Sequence, residues 1–105
     1  MPYEVYIGAP MKAVAEGTLT VGSAAVGIPA DQLDKVKGGE TEVLLGIEVD
    51  QVRISFLAGG APSTGTLFDV GDKPRVAGSP NCRDMRLIRV TNDATVRYTI
   101  FSKAL

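Results

Sequence analysis

Thr41-Glu42-Val43-Leu44-Leu45-Gly46-Ile47-Glu48-Val49-Asp50-Gln51-Val52-Arg53-Ile54-Ser55-Phe56-Leu57 is the stretch whose reading decides the fold. In an extended chain successive side chains point to opposite faces, so strict alternation of apolar and polar residues signals a half-buried strand. In Thr41–Val49 the period of two puts Val43, Leu45, Ile47 and Val49 on one face. In residues 51–57 it puts Val52, Ile54 and Phe56 on one face, with Arg53 and Ser55 on the other.

The same pattern extends in both directions. Downstream, residues 84–90 and 94–102 form a closing pair joined by Thr91-Asn92-Asp93, residue types that tolerate tight turns. In the last strand Val96, Tyr98 and Ile100 share one face and Thr95, Arg97 and Thr99 the other. Between these segments, Thr66–Phe68 follows a Gly/Ala/Pro/Ser/Thr loop at 58–65, and Arg75–Ala77 follows the turn Asp69-Val70-Gly71-Asp72. Upstream lie residues 3–7, ended by Gly8-Ala9-Pro10, then 13–21 with a bulge expected at Gly17, and 24–28 closed by Pro29. The exception is 30–37, where Asp31 caps a helical turn holding Leu33 and Val36, stopped by Gly38-Gly39. With 12 Gly and 6 Pro as punctuation, the expectation is all-β: a single-domain β-sandwich or jelly-roll-like fold. It has seven to nine short, mostly antiparallel strands and at most one short helical turn.

Composition bounds the chemistry. The 105 residues suffice for one domain with a modest core. The chain contains no His and no Trp, and its one cysteine, Cys82, has no partner for an internal disulfide. A His-based catalytic triad, a His metal site and a multi-Cys zinc site are therefore excluded within it. Charge is uneven along the chain. Residues 1–52 hold three Lys against eight acids, a balance of −5, and residues 53–105 hold eight basic residues against four acids, +4. The net charge of −1 lacks the positive excess of a nucleic-acid binder. No apolar run approaches the ~20 residues that span a bilayer. Met1-Pro2-Tyr3-Glu4 lacks the basic start of a signal peptide, so synthesis in a cytosol is expected, with no membrane partner.

Individual motifs point away from catalysis. Gly60-Ala61-Pro62-Ser63-Thr64-Gly65-Thr66 has the glycine spacing of a phosphate loop but lacks its Lys and leads into a strand. Asp69 and Asp72 flank a turn, where such acids bond their own backbone more often than they hold calcium. Cys82 sits beside Arg83 without a His to act as base, and reads as a loop or core thiol. The expectation is no enzyme, no metal and no cofactor.

The candidate functional residues are instead those suited to adhesion. Arg53, Arg83, Arg86, Arg89 and Arg97 recur in segments otherwise built from apolar residues. They read either as a solvated face whose stems cover apolar surface or as a protein–protein interface. Tyr3, Tyr6 and Ile7 precede the Gly8-Ala9-Pro10 break. They read either as an ordinary first strand or as part of an N-terminal docking arm over residues 1–10, pairing along a free sheet edge.

Several segments taken together resemble small all-β virion structural proteins of tailed bacteriophages and prophages. These are Thr20-Val21-Gly22-Ser23-Ala24-Ala25-Val26-Gly27-Ile28, the strand Gln51-Val52-Arg53-Ile54-Ser55-Phe56 with the glycine-rich loop after it, and Thr66-Leu67-Phe68-Asp69-Val70-Gly71-Asp72. The strand Arg86-Leu87-Ile88-Arg89-Val90 and the segment Asp93-Ala94-Thr95-Val96-Arg97-Tyr98-Thr99-Ile100-Phe101 complete the pattern, while the N-terminal arm and 31–42 depart from it. The resemblance implies a non-enzymatic capsid decoration or cement protein on the exterior of a virion. It would bind the major capsid protein or other virion proteins, with no nucleic-acid or membrane partner, as a homo-oligomeric dimer or trimer. The alternatives are a head–tail connector or tail accessory protein, and a glycan-binding β-sandwich module.

Overall fold

A computed structural model gives the structure of residues 11–36 and 40–103. The elements in chain order are β1 (Met11–Val21), α1 (Ala30–Leu33), β2 (Thr41–Val49), β3 (Val52–Ser55) and a 3-10 turn (Pro62–Thr64). They continue with β4 (Thr66–Phe68), β5 (Arg75–Ala77), α2 (Ser79–Asp84), β6 (Arg86–Arg89) and β7 (Ala94–Lys103). The strands form two antiparallel sheets, one in the order β1-β7-β2-β5 and the other in the order β4-β3-β6. The all-β sandwich expected from alternation is the fold observed. The two halves of its deciding stretch lie in different sheets: β2 belongs to the first and β3 to the second. The chain turns between them at Asp50, which takes a left-handed φ of 60° that Asp tolerates better than most side chains.

One core lies between the sheets. From the larger sheet it takes Leu19, Val21, Val43, Leu45, Ile47, Val76, Val96, Tyr98 and Ile100, and from the smaller Val52, Ile54 and Leu87. Burying each such aliphatic side chain is worth roughly 1.5–3 kcal/mol, which is why a period-two pattern selects one register. Leu33 of α1 and Cys82 of α2 close the core at its side, with Ile28 and Met85.

The structure corrects several local expectations. Val49 is 50% exposed, because a register shift at β2 between Ile47 and Val49 breaks the inward phase that Val43, Leu45 and Ile47 keep. The bulge in β1 falls between Ala13 and Ala15, while Gly17 stays in register opposite Tyr98. Gly17 is there for space: a Cβ would lie 2.5 Å from the Tyr98 hydroxyl oxygen. Residues 24–28 supply an isolated bridge in place of a strand, Val26 and Leu87 exchanging N–H···O bonds of 3.0 and 2.7 Å. Helix α1 is capped at Pro29 without a side-chain bond, and Asp31 lies inside its first turn. The expected strand 84–90 starts later, at Arg86, because Ser79–Asp84 forms the second helix α2, beyond the single helical turn expected. Pro80 lies in its first turn, where its missing N–H costs nothing, and Gly78 before it takes φ +94°. The expected strand 3–7 and the Gly38-Gly39 stop lie outside the described residues.

The loop 58–65 is held against β3. A Cβ on Gly65 would lie 2.3 Å from the Ile54 carbonyl oxygen and 2.5 Å from its carbon, both backbone atoms that cannot swing away. At Gly46, in β2, a Cβ meets nothing within 4 Å. Gly65→Ala is therefore expected to cost about 1–3 kcal/mol through forced backbone movement. Gly46→Ala should be neutral or stabilise by up to about 1 kcal/mol. Urea unfolding midpoints of the two variants check this, and equal shifts in the two would contradict the packing described.

Candidate functional site

Strand alternation sorts the candidate arginines onto different surfaces. On the outer face of the smaller sheet, Arg53 of β3 stands opposite Leu67 of β4 and Ile88 of β6 in one cross-strand row. Arg86 stands in the next row, opposite Ser55. Arg53 and Arg86 are thus diagonal neighbours, at the roughly 7–8 Å of ordinary antiparallel spacing. Their strand positions adjoin, but their guanidiniums reach to opposite flanks of the sheet, Arg53 toward Gly65 beside β4 and Arg86 toward Gly27 beyond β6, and the other candidates are dispersed. Arg89 pairs in register with Val52, whose side chain is in the core, so it lies at the rim of the inner face. Arg97 is on the outer face of the larger sheet, opposite Thr18 and Gly46, and Arg83 is on α2. Tyr3, Tyr6 and Ile7 lie outside the described residues.

Partners divide the arginines in the same way. Arg97 pairs with Glu48 at 3.1 Å, Arg83 with Asp34 at 2.7 Å, Arg75 with Glu42 at 2.7 Å, and Arg89 with Asp93 four residues on. All four pairs are open to solvent and so add little stability each. They do neutralise their charges locally. Arg53 and Arg86 have only backbone acceptors: Arg53 donates from Nη1 to the Gly65 carbonyl at 3.1 Å, and Arg86 from Nη1 to the carbonyls of Arg83 and Met85, both at 2.7 Å. Gly27 makes room for the second of these guanidiniums, since a Cβ there would lie 2.7 Å from Arg86 Nη1. Among the described residues these two cations therefore lack a carboxylate. Around them the face is apolar, with Leu67 43% and Val90 40% exposed.

The remaining sequence candidates are structural. Asp72 Oδ2 accepts the Asp69 N–H at 2.7 Å and Asp69 Oδ1 accepts the Val70 N–H at 2.8 Å, so both acids build their own turn. Among the described residues no three His, Cys, Asp or Glu side chains form a metal-binding group. No described helix is long and apolar enough to cross a membrane. Among the described residues the surface includes two shallow cavities. One of about 250 Å³ is lined by Gly27, Ile28, Ala30, Leu33, Arg83 and Arg86. The other, of about 330 Å³, is lined by Phe56, Arg75, Val76, Ala77 and Asn81. Neither lining contains a carboxylate, thiol or hydroxyl to act as base or nucleophile.

Sequence reasoning missed two contributors. Leu67 lies in a strand of three residues, too short for alternation to phase. Glu16 is the exposed acid of β1, paired in register with Thr99. Its signal was available, because Glu16, Thr18 and Thr20 alternate with the inward Leu19 and Val21.

No protein-family model matches this sequence, and no curated protein matches it. Among solved structures the fold is similar to a chain from a study reporting that Bacillus endospore appendages form a novel family of disulfide-linked pili. The TM-score is 0.51 at 14% identity, over 96% of this chain and 95% of that one. At that identity the likeness concerns the fold alone.

Cys82 is fully buried on α2, with its Sγ 3.5 Å from the Val76 carbonyl. Burial disfavours the thiolate and pushes its pKa from 9.0 up to about 11. The unfolded chain thus releases this proton at lower pH than the folded one. The resulting stability is fully present below about pH 9 and is lost as pH rises toward 11. A thiol-reactive dye at pH 8 is expected to label the native protein at least about a hundredfold more slowly than the urea-unfolded protein. Urea midpoints should also fall more steeply between pH 9 and 11 in the parent chain than in Cys82→Ala. Rapid native labelling would contradict the buried placement.

Proposed function

We propose that this chain is a non-enzymatic structural subunit that works by adhesion, and that it decorates the exterior of a bacteriophage capsid by binding its major capsid protein. The observation that carries this reading is the open flank of β1. This strand runs for 11 residues as the terminal strand of its sheet and pairs only with β7, along its whole length. Among the described residues nothing bonds to its other side. A long edge of that kind is a template for strand addition, and soluble proteins ordinarily shorten or cover such edges. Residues 1–10, with Tyr3, Tyr6 and Ile7, precede β1 in the sequence and are the segment proposed to dock on a neighbouring edge. Many such contacts repeated around a shell hold it by avidity without one strong site.

A second reading follows from the fold likeness: a subunit of an extracellular filament. The solved relative of the fold is described as a disulfide-linked pilus. Covalent linkage of that kind is not open to this chain, because Cys82 is its only cysteine and is buried. One thiol per chain joins at most two chains. A filament of this protein would have to be held by noncovalent contacts.

The capsid reading predicts saturable, stoichiometric cosedimentation of purified protein with mature, expanded capsids of the phage that encodes it. Deleting residues 1–10 should weaken that binding by at least about tenfold, equivalent to the loss of about 1.4 kcal/mol. Absence of any binding to expanded shells removes the proposal, and unchanged binding by the deletion variant removes the role of the arm. Copy number in purified particles separates decoration, at hundreds of copies, from a connector, at a single ring.

A further inference from the structure

We infer that copies of this chain associate head to tail, the outer face of the three-stranded sheet seating on the outer face of the four-stranded sheet of a second copy. Glu16 of that second copy meets the cationic face that Arg53 and Arg86 give this sheet. The inference deepens the proposed function, resting on the reading of the chain as an assembly subunit and naming a contact between its copies.

The two faces differ in charge and exposure. The outward positions of β3, β4 and β6 carry no carboxylate, only two guanidiniums among apolar and neutral side chains. Acids next along the chain lie beyond the strand ends: Asp50 precedes β3, Asp69 is committed to its turn, and Asp84 ends α2. Arg53 and Arg86 use only Nη1 for their carbonyls, which leaves guanidinium donors for a carboxylate held in a fork. Two cations flanked by Leu67, Ile88 and Val90 suit a protein surface. A nucleic-acid groove calls for more cations and for aromatic stacking platforms, and this face has neither.

The larger sheet offers the complement. Its outward Glu42 and Glu48 are taken by Arg75 and Arg97, so these four charges cancel. Glu16 remains, exposed and without a partner among the described residues, on the outward side of β1. In its cross-strand row stand Thr99, then the half-buried Leu44, which can meet Leu67 or Ile88, and then Arg75, whose guanidinium Glu42 takes. The two contacting faces differ, so the contact is heterologous and propagates into a ring or a filament instead of stopping at a dimer. It also leaves the flank of β1 free, because a face contact and an edge contact approach the strand at right angles.

Sedimentation velocity over a concentration series up to about millimolar, the range of weak heterologous contacts, tests this directly. The parent chain is expected to self-associate, and more weakly as salt rises. The double variant Arg53→Glu/Arg86→Glu and the single variant Glu16→Arg should each weaken association by at least about tenfold. The triple combination should recover most of it. Glu16→Arg breaks no described intramolecular bond, so it stays informative if the double variant folds poorly. A parent chain that remains monomeric overturns the inference, as does unchanged association in Glu16→Arg or a triple variant no better than the double. Duplex DNA binding that the double variant abolishes would also overturn it, by assigning the face to nucleic acid. Capsid cosedimentation of Glu16→Arg separates the two proposals: retained binding with lost self-association leaves shell docking intact, and the reverse leaves only the copy-to-copy contact.

Discussion

Strand β7 is the interaction on which the rest of the molecule depends. It is hydrogen-bonded along both flanks, to β1 on one side and to β2 on the other, and its alternation drives Ala94, Val96, Tyr98 and Ile100 into the core. The β1 pairing requires Gly17, because the Tyr98 ring occupies the space a side chain would take. The β2 pairing fixes which residues of the deciding stretch point inward as far as Ile47. Past that point the register shift and the left-handed Asp50 send the chain into the second sheet. A strand at the C-terminal end of the sequence thereby organises strands from its beginning and its middle.

That arrangement also accounts for the uneven charge. The acidic β2 lies between β7 and β5, both drawn from the basic half of the chain. Glu42 and Glu48 of β2 then meet Arg75 and Arg97 across strand boundaries, and α2 brings Arg83 to Asp34. Most of the asymmetry visible along the sequence cancels within the folded chain. Among the described residues, two guanidiniums on the outer face of the smaller sheet and the Glu16 carboxylate on the outer face of the larger one take part in no ion pair. The proposed copy-to-copy contact draws on these charges.

The long alternating segments were legible from sequence because a period of two admits one buried face. Thr41–Val49, Thr66–Phe68 and Arg75–Ala77 coincide with the observed strands, and 13–21 differs from β1 only at its start. Illegible parts were those set by partners distant in sequence. Gly17 reads as a bulge until Tyr98 is placed above it. Val49 reads as core until the register shift is known. Residues 79–84 carry Ser, Pro, Asn and Asp, all turn formers in isolation, yet they close one helical turn and more because Cys82 buries against the core. For the candidate site, sequence identified Arg53 and Arg86 but grouped them with arginines that the fold disperses and neutralises.

The proposed subunit acts through its edges and faces, and among the described residues β1 is the longest strand with an unpaired flank. High-resolution imaging of intact particles tests that claim most directly. It predicts that the chain lies on the outer surface of the shell and that a strand from another polypeptide is hydrogen-bonded along the outer flank of β1. A particle map in which that flank faces bulk solvent, with no neighbouring chain against it, would contradict it.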